Sequence, residues 1–142
     1  MYLIDTSVWI DSLRGTDNAP ARCFRSLIDN DAPFGITGVI YQEVLQGART
    51  DKDYIQLRSH LGSLTFYAPL DPRTSFAAAA QLYRHCRQRS ITIRSTIDCV
   101  IARIAIEHDL TLVHNDRDFG HLQRVVPELK CNAGDGWEAH EA

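Results

Sequence analysis

The stretch "MYLIDTSVWI" (residues 1–10) is apolar through Leu3 and Ile4, breaks at Asp5, Thr6 and Ser7, and turns apolar again at Val8. The break predicts a strand over 2–4 that delivers Asp5 to its C-terminal end. A helix from about Ser7 to Arg14 then follows, capped by the hydroxyl of Thr6 or Ser7. In open α/β sheets that rim is where sites are built, so the question is which other acids reach it.

Working outward, Pro20 opens a helix that runs to about Asn30, and "APFGIT" (32–37) reads as a short strand. Thr37 is placed to cap a helix ending near Gly47, and Asp51 opens another that ends near Gly62. "LTFYAPL" (64–70) reads as a strand. Asp71 or Thr74 then starts a helix through the alanine run 77–80 toward Arg89. Ile97, Ile101, Ile104 and Ala105 share one helical face, with Ser95 and Asp98 spaced as a capping box. "LTLVH" (110–114) is a buried strand, "NDRDFGHL" (115–122) a turn into a short helix, and the tail from Pro127 an added edge strand. Short apolar strands alternating with longer helices imply a mostly parallel sheet between helical layers.

Composition sets the frame for these elements. With 142 residues, 44% of them hydrophobic, the chain can bury roughly two-thirds of the surface its unfolded form exposes. No repeat, low-complexity block or long linker divides it, so residues 1–142 are read as one domain. Cys23, Cys86, Cys99 and Cys131 show no paired C-x-x-C spacing, and no stretch of about 18 apolar residues is present. The expected setting is the reducing cytoplasm, with no membrane attachment and no zinc. A formal net charge of -3 argues against coating nucleic acid through bulk positive potential. Of the 15 basic residues only Lys52 and Lys130 are lysines, so the cationic side chains are almost all forked guanidiniums suited to phosphate or carboxylate.

Four acids sit where a water-seeking side chain is unexpected. Asp5 follows the first strand, Glu43 lies among Ile40, Val44 and Leu45, Asp98 opens the most periodic helix, and Asp116 follows "LTLVH" and Asn115. Each has an ordinary explanation: a turn for Asp5, a salt bridge to Arg49 or Arg94 for Glu43, a cap for Asp98, a helix start for Asp116 with Asp118. Together they point elsewhere. If the strands ending at Asp5 and Asn115 are parallel neighbours, their carboxyl ends open on one edge, where like charges repel and raise carboxylate pKa values. A divalent cation relieves that repulsion, and oxygen-only ligands favour Mg²⁺ or Mn²⁺.

The blocks "LIDTSVWI", "YQEVLQGAR" and "STIDCVIARIAIEHDLTLVHNDRDF", in this order and over nearly the whole chain, resemble the PIN-domain endoribonucleases, in particular toxins of the VapC type. The resemblance implies a three-layer α/β/α sandwich with a central mostly parallel sheet and an acidic pocket at its C-terminal edge. By the same resemblance Asp5, Glu43, Asp98 and Asp116 are the catalytic and metal-binding acids, Thr6 or Ser7 steadies the pocket through Asp5 or a coordinated water, and Asp118 is accessory. Glu43 is either the group that orients or deprotonates water or an indirect metal ligand. The implied reaction is Mg²⁺- or Mn²⁺-dependent hydrolysis of an RNA phosphodiester, in a transfer or ribosomal RNA loop, with no nucleophilic side chain. Arg84, Arg87, Arg89 and Arg94, clustered before the Asp98 helix, are the expected RNA contacts.

The resemblance also implies a small antitoxin seated on helices near residues 20–62, with Leu57 and Leu61 in the groove. A homodimer is implied as well, together with operator DNA reached only through the antitoxin. Two rival readings stand beside it. One is a non-catalytic subunit of a repressor complex whose acids accept a partner's arginine. The other is a receiver-type or phosphatase domain, disfavoured because no D-x-D-x-T follows the first strand and no lysine follows the later ones.

Overall fold

The computed structural model describes residues 1–134; the last eight residues of the domain read over 1–142 lie outside the described residues. In chain order the elements are β1 (Tyr2–Ile4), α1 (Thr6–Arg14), α2 (Ala19–Asp29), β2 (Phe34–Thr37), α3 (Gly38–Gln46) and α4 (Asp51–Gly62). They continue with β3 (Thr65–Tyr67), α5 (Pro72–Gln88), α6 (Thr96–Glu107), β4 (Thr111–Val113), α7 (Arg117–Val125) and β5 (Lys130–Asn132). All four strand pairings are parallel, in the order β3-β2-β1-β4-β5. That order separates the chain from a receiver domain, whose strands run 2-1-3-4-5.

The order also determines where the helices go. The chain steps from β1 through β2 to β3 in one direction, then returns to β4 and β5 in the other. Right-handed crossovers therefore place α1 to α4 on one face and α5 to α7 on the opposite face. The contacts agree: α1 packs on α2 and α3, and α3 on α4, while α5, α6 and α7 pack on each other. Between β1 and β4 the direction of winding reverses, which opens a crevice outside their carboxyl ends. Ile4 pairs with Val113, so Asp5 and the residues after His114 emerge side by side at that crevice.

Burial follows the periodicities. Leu3, Ile4, Ile36, Leu112 and Val113 of the strands are fully enclosed, and Ile101, Ala102 and Ala105 form the inward face of α6. Trp9, Phe24 and Phe34 meet in edge-on pairs, with centroids of Trp9 and Phe24 4.8 Å apart and of Phe24 and Phe34 5.2 Å apart, fastening α1 and α2 over β2. Each such pair adds about 1 kcal/mol beyond its buried area.

The strand expected over 64–70 is confined to Thr65–Tyr67, because Pro69 has no N–H to extend pairing with β2. The strand expected over 110–114 keeps three residues, with His114 carried past its end. Asp71, not Thr74, caps α5, accepting from the Arg73 amide, while Thr37 caps α3 as expected. Gly35 is the tight point of the sheet: a Cβ there would stand 2.5 Å from the Thr65 carbonyl oxygen and 2.6 Å from the Tyr67 ring. Gly35→Ala must push β3 away and is expected to cost about 3 kcal/mol, roughly a 10 °C drop in Tm, readable by calorimetry.

Candidate metal centre at the sheet switch point

Asp5 is the last residue before α1, and it is itself the N-cap. Its Oδ2 accepts from the Ser7 amide at 3.2 Å and from Ser7 Oγ at 2.6 Å. The expected cap by Thr6 or Ser7 is therefore corrected: an aspartate in extended conformation at this position already offers the acceptor that the first turn needs. The two hydroxyls are used separately. Ser7 Oγ holds Asp5 and accepts from the Asn115 amide at 3.1 Å, tying α1 to the loop after β4. Thr6 Oγ1 donates to Glu43 Oε1 at 2.9 Å, across from α3. Asp5 is only 5% exposed, and burial pushes its carboxyl above the ordinary range, opposed by the hydrogen bonds from Ser7.

Glu43 makes no ion pair among the described residues, so the bridge to Arg49 or Arg94 weighed from the sequence is not what holds it. Asp98 is likewise not half of a capping box. Ser95 Oγ accepts from the Ile97 amide at 3.3 Å, but among the described residues the Asp98 carboxylate takes no hydrogen bond. Its pKa is pushed up to about 7, first by burial and then by Asp116, Asp5, Asp118 and Glu43 around it.

Asp116 caps α7: its Oδ1 accepts from the Asp118 amide at 2.9 Å, and its own amide donates to Nδ1 of the buried His114 at 3.2 Å. Accepting at Nδ1 fixes the proton of neutral His114 on Nε2, and burial holds the imidazole pKa below its usual value. Asp118 is 2% exposed, less than any other acid of the cluster. One oxygen each of Asp98, Asp116 and Asp118 lies within 4.8 Å of the others. The tight group is thus two of the four principal acids joined by the one ranked below them. Asp5 and Glu43 stand outside it, near enough to act on Asp98 electrostatically.

A hard divalent cation fits this donor set. Oxygen ligands at about 2.1 Å from Mg²⁺ lie about 3–4 Å apart, so adjustments of about 1 Å close the group. Burial first, and then the carboxylates around it, push the Asp98 pKa up to about 7, and a bound cation would offset the electrostatic part of that shift.

The expected RNA-contacting arginines fall into two places. Arg84 and Arg87 are exposed on α5, where Arg84 donates to Gln81 and Arg87 lies 5.9 Å over the Tyr83 ring; Arg89 ends that helix. Arg94 sits at the acids instead: Nη2 is 3.0 Å from Asp116 Oδ1 and Nε is 3.2 Å from Asp118 Oδ2. Beside it is a cavity of about 480 Å³ whose lining includes Arg94, Arg117, His121 and Arg124. The last three recur at i, i+4 and i+7 on α7, a pattern readable in "RDFGHLQR" that sequence reasoning missed, as it missed His114.

An acid cluster at the switch point of a 3-2-1-4-5 parallel sheet defines a class, and the chain matches the PIN domain over residues 2–125. It is 36% identical over 127 residues to the VapC ribonuclease Mb1587 of Mycobacterium bovis and to ribonuclease VapC11 of Mycobacterium tuberculosis, spanning 89% of this chain and 94% of each relative. The chain belongs to the PIN-domain family, in its VapC branch. Solved structures with the same fold include VapBC2 of Rickettsia felis bound to a DNA fragment from its promoter, at TM-score 0.68 and 18% identity over 92% of this chain and 96% of that one. VapBC-1 of nontypeable Haemophilus influenzae aligns at TM-score 0.69 and 16% identity, over 94% and 98% of the two chains. FitAcB of Neisseria gonorrhoeae aligns at 0.66 and 21%, over 96% and 100%.

Proposed function

We propose that this chain is the endoribonuclease toxin of a VapBC-type toxin–antitoxin pair, hydrolysing RNA phosphodiesters with Mg²⁺ or Mn²⁺. The observation that carries the reading is the convergence of Asp98, Asp116 and Asp118 beside Asp5 and Glu43 at the reversal between β1 and β4.

Asp98, Asp116 and Asp118 are the residues that would hold the cation, with Asp5 near enough to add negative charge at Asp98. When bound, such an ion supplies Lewis acidity to the phosphate and lowers the pKa of water. The protein side of the chemistry is positional. Thr6 fixes one oxygen of Glu43; the other takes no hydrogen bond among the described residues and is the candidate to orient the attacking water and receive its proton. Ser7 keeps Asp5 aimed at the pocket while joining it to the loop that carries Asp116. The rival reading, acids waiting for a partner's arginine, is met at Asp116 and Asp118 by Arg94 of the same chain.

The antitoxin has a site on the helical face of α1, α3 and α4. A groove of about 750 Å³ is lined there by Ile10, Leu13, Val44 and Leu57, with Arg14 and Asp53 at its polar margin. Leu61, expected in that groove, is instead fully buried core. The apolar lining suits an amphipathic helix of the partner. Four free thiols support a reducing cytoplasmic setting, and among the described residues no helix is long and apolar enough to cross a membrane. A homodimer, with operator DNA reached through the antitoxin, completes the assembly we propose.

The test is direct. Protein stripped with EDTA should leave a structured RNA intact, and millimolar Mn²⁺ or Mg²⁺ should restore cleavage, followed on denaturing gels. Absence of cleavage in both ions overturns the reading.

A further inference from the structure

Arg94 holds two of the three clustered carboxylates, yet neither needs its guanidinium for orientation. Asp118 Oδ2 also accepts from the Arg94 backbone amide at 3.1 Å, and Asp116 Oδ1 from the Asp118 amide at 2.9 Å. Both backbone bonds persist whatever the side chain does. What the guanidinium contributes is positive charge, and it contributes it from the solvent side, with its side chain 57% exposed. A cation that neutralises without positioning, at a site open to water, is exchangeable.

The neighbouring cavity gives it a second place to go. Arg94, Arg117 and Arg124 line that cavity with Ser90 and Thr92, against one carboxylate among the described residues, Asp118. Arg117 and Arg124 form no ion pair among the described residues. His121 Nδ1 is shielded from solvent and has no hydrogen-bond partner among the described residues, 3.9 Å from Asp118 Oδ1. Forked donors gathered along the lining of such a space match a phosphate of an extended strand.

Resting on the nuclease reading above, we propose that Arg94 is the resident counter-cation of the acid cluster, displaced by the divalent ion and then turned, with Arg117 and Arg124, onto an RNA phosphate next to the scissile one. Metal loading and substrate binding are thereby coupled through one side chain. Without the ion the guanidinium blocks the acids; with it, the same guanidinium holds the strand.

Manganese titration followed by electron paramagnetic resonance, together with steady-state cleavage of a short RNA, tests both halves. Arg94→Ala should bind Mn²⁺ about fivefold more tightly than wild type, because a competing cation is gone, and Arg94→Lys should fall between. At saturating Mn²⁺, Arg94→Ala should raise KM about tenfold, as should Arg117→Ala with Arg124→Ala, the latter pair leaving Mn²⁺ affinity unmoved. Unchanged or weaker Mn²⁺ binding by Arg94→Ala overturns the exchange, and an unmoved KM overturns the phosphate contact. If the wild type cleaves no RNA, the nuclease reading fails, while the Mn²⁺ titration still decides the exchange.

Discussion

Asp98→Asn is expected to cut RNA about 10³-fold more slowly than wild type and yet, free of metal at pH 8, to melt at a higher temperature. The two effects share a cause. Asp98 lies among Asp116, Asp5, Asp118 and Glu43 and makes no hydrogen bond among the described residues that its charge would strengthen. Neutralising it removes repulsion and forfeits no cap. After discounting for solvent screening at a partly exposed cluster, the gain is about 1 kcal/mol, or 2–4 °C for a chain of this size.

Asp5→Asn is the less clean variant, since Asp5 accepts both donors of Ser7 and caps α1. The sequence suggests the opposite ranking. Ser95 and Asp98 have capping-box spacing, whereas Asp5 precedes two hydroxyl residues that are good caps themselves. A melting temperature of metal-free Asp98→Asn below wild type at pH 8, measured by calorimetry, would contradict the repulsion on which the site is argued.

The same group sets the pH response. Its folded-state pKa of about 7 lies above the ordinary 3.8, so from about pH 4 to 7 the folded chain keeps a proton that the unfolded chain has lost. Stability of the metal-free protein from this source therefore falls as pH rises through that window and levels above it. Manganese should reverse the trend, competing with the proton for the same oxygens. At about 100 times its Kd, Mn²⁺ should add about 2.7 kcal/mol at pH 8, roughly 5–10 °C in Tm, and progressively less toward pH 5. Thermal shifts across pH 5 to 8 measure it, and Asp98→Asn should flatten the pH dependence. A shift as large at pH 5 as at pH 8 would place the ion elsewhere.

How much of this was legible in the sequence differs by level. Periodicity and turn residues located the elements, because an enclosed helix face such as Ile101, Ile104 and Ala105 must repeat every three to four residues. Ile97, read onto the same face, nevertheless stands exposed in the first turn of α6. The pairing of β1 with β4 was posed as a condition, and the sheet satisfies it. What sequence spacing cannot encode is which oxygen faces which donor. Asp118 reads as a second acid in a helix start, and only the packing of α7 buries it deeper than Asp116. Thr6 and Ser7 are adjacent, but the helical turn sends one to α3 and the other to Asp5. For Arg94 the sequence offers a substrate phosphate or Glu43 as partner, and it does not single out Asp116 and Asp118, which lie 22 and 24 residues further along the chain.

The pairing of β1 with β4 has a temporal consequence. Asp5 leaves a ribosome more than a hundred residues ahead of Asp116 and Asp118, whose loop comes to lie beside it at the ends of the paired strands. At about 5–20 residues per second the interval is on the order of ten seconds. Throughout it the nascent polypeptide carries one half of a cutting edge whose other half does not yet exist. A truncated message stopping before the fourth strand therefore yields a fragment that lacks Asp116 and Asp118 and with them the acid cluster.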